Sequence, residues 1–316
     1  MSAGRYHLLS LAAAGLALAL GLGLGAGPVT EGASDEAAER TRTLEGRVDR
    51  LQERVAAQDA RSAADAAALE AMGAPLTDGL LDARSVLVVA APGARTADVE
   101  RVRAGLEDAG ATVTGVLSLT RTYVDPEQAA SPLEDLALRL VPPGVEFPDA
   151  ATSIDRVGTV LARATVQRPE DDAEPPAGGG GIDQDGAKVI AGLDELGALR
   201  LEGEPGLRAE LAVLVAGPDD GDEGVPALVG LLAALDAGSR GVVLTGPGPA
   251  GTGLLRTARD DDGDDLDGVS TVDSADTTAG TVALVLALAE QAADGAGDYG
   301  TGRGAPRVLP AVPDAG

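Results

Sequence analysis

ELAVLVAG (Glu210 to Gly217) and GVVLTG (Gly241 to Gly246) are the two segments that decide the fold. Each is a short, almost unbroken apolar run closed by glycine, the pattern of a strand covered on both faces. Between them Ala227 to Ala237 is apolar and of helical length. Toward the N-terminus, SVLVVAAP (Ser85 to Pro92) is a third β-rich run, bounded by Pro92 and Gly93, and TVTGVLSL (Thr112 to Leu119) is a fourth. Thr96 to Gly110 joins them, with Val99, Val102, Leu106 and Ala109 on one helical face and a terminal Gly. Leu133 to Leu140, Ile154 to Val166 and Ala187 to Leu199 also read as helical. VSTVDS (Val269 to Ser274) is the fifth strand, and Ala279 to Ala293 the final helix. Strands alternating with helices predict a three-layer, doubly wound α/β domain with a parallel sheet over residues 83–294. PEDDAEPPAGGGG (Pro169 to Gly181) is too polar and Gly/Pro-rich to build core and is expected as a flexible insert; residues 295–316 form a Gly/Pro-rich tail.

Two other segments lie before this domain. LLSLAAAGLALALGLGLGAG (Leu8 to Gly27) has no charge and one hydroxyl, Ser10. Twenty residues at about 1.5 Å each span roughly 30 Å as a helix, the thickness of a bilayer core. A cleaved signal peptide is the competing reading, but its apolar stretch is usually shorter, about 7–15 residues, and Pro28 would follow the cut. The expectation is an uncleaved single-pass anchor, with residues 1–30 forming a cytoplasmic stub and transmembrane helix. Arg5 before the run places the short N-terminus inside and the remainder outside the cytoplasm.

Ser34 to Met72 reads as one long helix, with Ser34 as its cap, Asp35 and Glu36 in the first turn, and Gly73 and Pro75 as its stop. Leu44, Val48, Leu51 and Val55 follow coiled-coil seam spacing; Gln58, Ser62 and Asp65 continue that seam with polar residues, and Leu69 and Met72 return to apolar ones. Residues 34–72 are therefore expected to form a coiled-coil-like spacer that pairs with a second copy or an envelope protein. A charged, Ala-rich helical spacer without a partner is the alternative.

Composition excludes more than it indicates. Among 316 residues, 51 are Asp or Glu and 24 are Lys or Arg, for a net charge of -27. Such a polyanion lacks the basic patches that release counterions from nucleic acid, so no nucleic-acid partner is expected. Four aromatics and no Trp leave no platform on which bases could stack. Without Cys, and with His7 as the one histidine, thiolate chemistry and a Ser-His-Asp triad within the folded domain have no residues to use. GPGPAG (Gly246 to Gly251) fits G-x-G-x-x-G after a strand, but Pro247 and Pro249 remove two of the N–H groups that cradle phosphate. An ordinary Gly/Pro turn is preferred to a dinucleotide site. DDDGDDLD (Asp260 to Asp267) does not fit the frame of a calcium loop and reads as a solvated acidic loop, with weak divalent binding as the alternative. No catalytic, cofactor-binding or metal-ligating residue is assigned, and no enzyme activity is expected.

Several segments together resemble a known family. RYHLLSLAAAGLALALGLGLGAGP (Arg5 to Pro28), GLLDARSVLVVAAPG (Gly79 to Gly93) and AGATVTGVLSL (Ala109 to Leu119) are similar to segments of the actinobacterial MctB family. Tyr123-Val124-Asp125-Pro126, VSTVDSADTTAG (Val269 to Gly280) and GDYGTGRGAPRVLP (Gly297 to Pro310) extend the resemblance over nearly the whole chain. It implies a role in copper transport or copper homeostasis, with copper as the transported ion, and an outer-membrane, channel-like protein. Copper sites favour Cys, Met and His, whereas Met1, Met72 and His7 are all that this chain offers. It also lacks the alternating strands and aromatic girdles of a membrane barrel. The other reading is a non-catalytic envelope scaffold or regulator, for example of cell-wall hydrolysis and cell separation.

Overall fold

The burial of alternate residues along one strand shows how the domain is layered. In β1 (Ser85–Ala90), Val86 and Val88 enter one hydrophobic cluster, while Leu87 and Val89 enter a second on the opposite face. Both clusters are closed, so the whole strand is inaccessible to water and only Val- and Leu-rich runs can occupy such positions. The computed structural model describes residues 31–142, 145, 147, 151–168, 180–182, 184–202, 207–218, 224–249, 253–260 and 266–311.

The elements that follow β1 are α2 (Thr96–Asp108), β2 (Thr112–Leu119), α3 (Arg121–Val124), α4 (Pro126–Arg139) and α5 (Ser153–Thr165). Then come β3 (Gly180–Gly181), α6 (Gln184–Glu195), β4 (Leu199–Glu202), β5 (Leu207–Arg208), β6 (Leu211–Val215) and α7 (Val225–Gly238). The last are β7 (Gly241–Thr245), α8 (Gly253–Asp260), β8 (Val269–Val272), α9 (Thr278–Gln291) and β9 (Asp298–Tyr299). Seven strands form one sheet in the order β4-β2-β1-β6-β7-β8-β9, and β3 pairs with β5 separately. The five strands expected from sequence are its centre, and all run parallel. Helices α2 and α9 cover one face and α4 to α8 the other, giving the three expected layers.

The sheet is mixed, not wholly parallel. β4 runs antiparallel to β2, with Leu119 opposite Leu199. The helical pattern continuing to Leu199 is corrected here: α6 ends at Glu195, and Gly197 adopts φ +70. Glycine reaches this left-handed region without a Cβ clash, so the chain reverses there at little cost. Ala198 N–H then donates to Leu193 O at 2.9 Å, and Thr120 N–H donates to Ala198 O at 2.9 Å, so β4 enters beside the end of β2.

The chain divides into two compact units, residues 1–65 and 66–316. In the first lies most of α1 (Glu31–Thr77). Residues 31–33 are already helical, so Ser34 lies inside α1 and is not its cap. The helix also passes Gly73 and Pro75 before it stops. A Cβ on Gly73 would stand 3.0 Å from Val282 Cγ2 of α9, and Thr77 Oγ1 donates to Gly73 O at 3.2 Å, so packing holds this last turn against the breaking tendency of proline. The apolar run Leu8 to Gly27 and the acidic residues 261–265 lie outside the described residues. Among the described residues, no helix is long and apolar enough to cross a membrane.

Candidate functional site

The sheet winds in both directions from β1, so the loops after β1 and β6 diverge at the carboxyl ends of the strands. Arg95, which ends the loop after β1, donates to Asp98 Oδ2 at 2.6 Å and lies 3.7 Å from Asp276 Oδ2. The bond to Asp98 raises the pKa of the guanidinium, and burial opposes it. Asp276 in turn accepts from Gly248 N–H at 2.9 Å. Gly248 belongs to the GPGPAG turn. Gly246 N–H donates to Val272 O at 3.3 Å, so both of these turn donors are committed to the chain itself. With Pro247 and Pro249 lacking N–H groups, the described part of the turn is a Gly/Pro connector and has no phosphate cradle.

At the end of β8 two of the family-like segments meet. Arg259, from α8, and Asp273, at the end of β8, form an ion pair at 3.0 Å with side chains 1% and 0% exposed. Arg259 also donates to Thr271 Oγ1 at 2.6 Å, Tyr299 O at 2.6 Å and Arg303 O at 3.2 Å. Asp273 accepts from the N–H groups of Thr301 at 2.9 Å and Gly302 at 2.8 Å, and from Ser274 Oγ at 2.9 Å. Burial alone would raise the Asp273 pKa. The donors from Thr301, Arg259, Gly302 and Ser274 outweigh it and hold the carboxyl below its ordinary range.

Tyr299 is fully buried in the same strap. Its hydroxyl donates to Glu290 and accepts from Arg307 Nη2 at 3.3 Å, and the Arg307 guanidinium lies 5.3 Å from the ring centre. Burial and the bond to Glu290 push the Tyr299 pKa up to about 12. Residues 298–307 are thus bound across the end of β8 by groups that satisfy one another. This arrangement stabilises a chain segment; its charges are committed to internal bonds, and the geometry suits a rigid platform better than acid–base chemistry.

Sequence reasoning assigned no role to Arg259, Asp273 or Tyr299. The available signal was indirect: VSTVDSADTTAG and GDYGTGRGAPRVLP were both needed for the family resemblance, yet neither contains a catalytic motif. Of the acidic run Asp260 to Asp267, the described Asp260 pairs with Arg256. Among the described residues, no three His, Cys, Asp or Glu side chains gather as a metal-holding group. In the same helical layer as α8, a groove of about 880 Å³ lies between α5 and α7, lined in part by Thr159, Arg163, Arg168, Val229 and Ala233.

The sequence pattern of the family described as "Copper transport outer membrane protein, MctB" matches residues 1–310. Proteins named "Copper transporter MctB" from Mycobacterium bovis and Mycobacterium tuberculosis are each 29% identical over 319 residues, covering 96% of this chain and 98% of theirs. One of the same name from Mycobacterium leprae is 28% identical over 240 residues, covering 72% of this chain and 74% of its own. The match takes in the apolar N-terminal run, the long helix, the mixed sheet and the strap that closes on Asp273. The chain belongs to the MctB family.

Proposed function

We propose that this protein serves copper transport or copper homeostasis from the cell envelope. The observation that carries this reading is the family match over residues 1–310, which includes every segment of the chain up to the strap. In this reading Leu8 to Gly27 is a single-pass anchor, Arg5 stays on the cytoplasmic side, and the α/β domain lies outside. With Met1, Met72 and His7 as its whole set of soft or imidazole ligands, the chain contributes a folded platform to a copper-handling assembly and does not itself carry the ion along a ligand track.

The test is the copper content of a strain lacking the gene, complemented with the full chain or with a chain lacking residues 8–27. Deletion should alter cell copper, and only the anchored chain should restore it. Unchanged copper in the deletion strain overturns the reading. A second reading, a non-catalytic scaffold in cell-wall hydrolysis and cell separation, draws support from the exposed apolar stripe of α1, a surface suited to recruiting a protein. Septation scored in the same strains separates the two.

A further inference from the structure

In the first unit, α1 leaves four large apolar side chains in water: Leu44, Val48, Leu51 and Val55 are 58%, 45%, 56% and 55% exposed. Their spacing of four, three and four residues places them on one seam. With Leu44 and Leu51 at d, Val48 and Val55 fall at a. A β-branched residue at a with Leu at d is the combination that favours two parallel strands.

The flanking charges point the same way. In this register Arg40, Arg47, Arg54 and Arg61 occupy g in four successive heptads, while Glu45, Gln52 and Asp59 occupy e. In a parallel pair each g residue faces the e residue five positions later on the other helix. Arg40 then meets Glu45 of the second copy, and Arg54 meets Asp59 of the second copy; Arg47 meets the neutral Gln52. By symmetry each pair forms twice. In an antiparallel pair g faces g, which sets Arg47 beside Arg54 of the second copy, a repulsion in place of an attraction.

We propose that the occupant of this stripe is a second copy of the same chain, aligned parallel and in register through residues 40–61. The inference rests on the reading that residues 34–72 carry self-association, and it adds the partner, the direction and the register. Four apolar layers make a short seam, so the pairing is weak for free chains and gains from two chains held on one membrane.

The chain has no cysteine, so a single introduced thiol reports a single position. The full chain in detergent micelles would carry Leu44→Cys and be treated with a mild oxidant. Parallel, in-register helices bring the two introduced thiols within disulfide reach, and a covalent dimer should form. Glu53→Cys, on the outer face, should give little. Arg54→Glu added to Leu44→Cys should slow cross-linking by roughly tenfold, since two attractive pairs become repulsive; adding Asp59→Arg should restore it. If a mixture of Leu44→Cys and Val55→Cys chains cross-links while Leu44→Cys alone does not, the helices pair antiparallel: self-association survives and this proposal fails. If neither cross-links at any protein concentration, both fail.

Discussion

Gly300 faces the carboxylate of Asp273 so closely that a Cβ at position 300 would stand 2.2 Å from Asp273 Cγ. Its φ of +129 is one that L side chains rarely adopt. The strap can pass over the buried ion pair only because this residue has no side chain. Gly300→Ala should therefore cost about 3 kcal/mol through backbone strain and displacement of the carboxylate. Chemical denaturation of the variant against the parent measures it, and a loss below about 1 kcal/mol would show that the strap adapts.

Asp273 gives stability a defined dependence on pH. Its folded pKa lies below the ordinary carboxylate value. The stability it contributes is then complete above the unfolded value of about 4 and disappears as pH falls through the lower folded value. Asp273→Asn removes the charge that balances Arg259 and should cost about 3–5 kcal/mol at neutral pH. The gap between parent and variant should shrink as the medium is acidified below pH ~4. Denaturation curves at several pH values test this, and a constant gap would contradict it.

The chain contains three Tyr and no Trp, which makes its ultraviolet titration easy to read. Burial, with Asp155 nearby, raises the Tyr123 pKa; burial and Glu290 raise that of Tyr299 to about 12. Both groups favour the folded state below the unfolded value of about 10, and lose that contribution as pH rises through their folded values. No more than one tyrosine should ionise near pH ~10 before the protein unfolds. The Tyr123 hydroxyl is buried with no hydrogen-bond partner among the described residues. Tyr123→Phe should thus leave stability unchanged or raise it by up to about 1 kcal/mol, and a clear loss would reveal a partner for the hydroxyl.

Purified residues 34–316 should bind copper no more tightly than a generic acidic surface, because carboxylates select hard cations and Met72 is the sole soft ligand in that span. Calorimetric titration should show no stoichiometric site of submicromolar affinity. Such a site would restore a direct carrier role.

The central strands were legible because a strand covered on both faces must be apolar at every position, and Glu210 to Gly217 and Gly241 to Gly246 have almost nothing else. β4 was hidden because LRLE is four residues long, half exposed, and follows a helix-like pattern through Gly197. β9 is only Asp298 and Tyr299. The ion pair was not legible at all: Arg259 and Asp273 are two of 75 charged residues, and what sets them apart is the strap folded over them, whose Thr301 and Gly302 lie 28 and 29 positions beyond Asp273. In the described part of the GPGPAG turn, Gly246 to Pro249, the two prolines show from sequence alone which positions lack a donor.

The strap also sets the order of events as the chain is made. Thr301 and Gly302 supply two donors to Asp273, and Tyr299 and Arg303 supply two acceptors to Arg259. All four leave the ribosome after every long strand of the sheet. Until they arrive, the ion pair at the end of β8 faces a gap it cannot fill, and the neighbouring core has reason to stay open. A nascent chain halted before Asp298 would hold its strands and helices without the piece that commits them. Such lateness keeps the domain uncommitted until its own synthesis is almost complete.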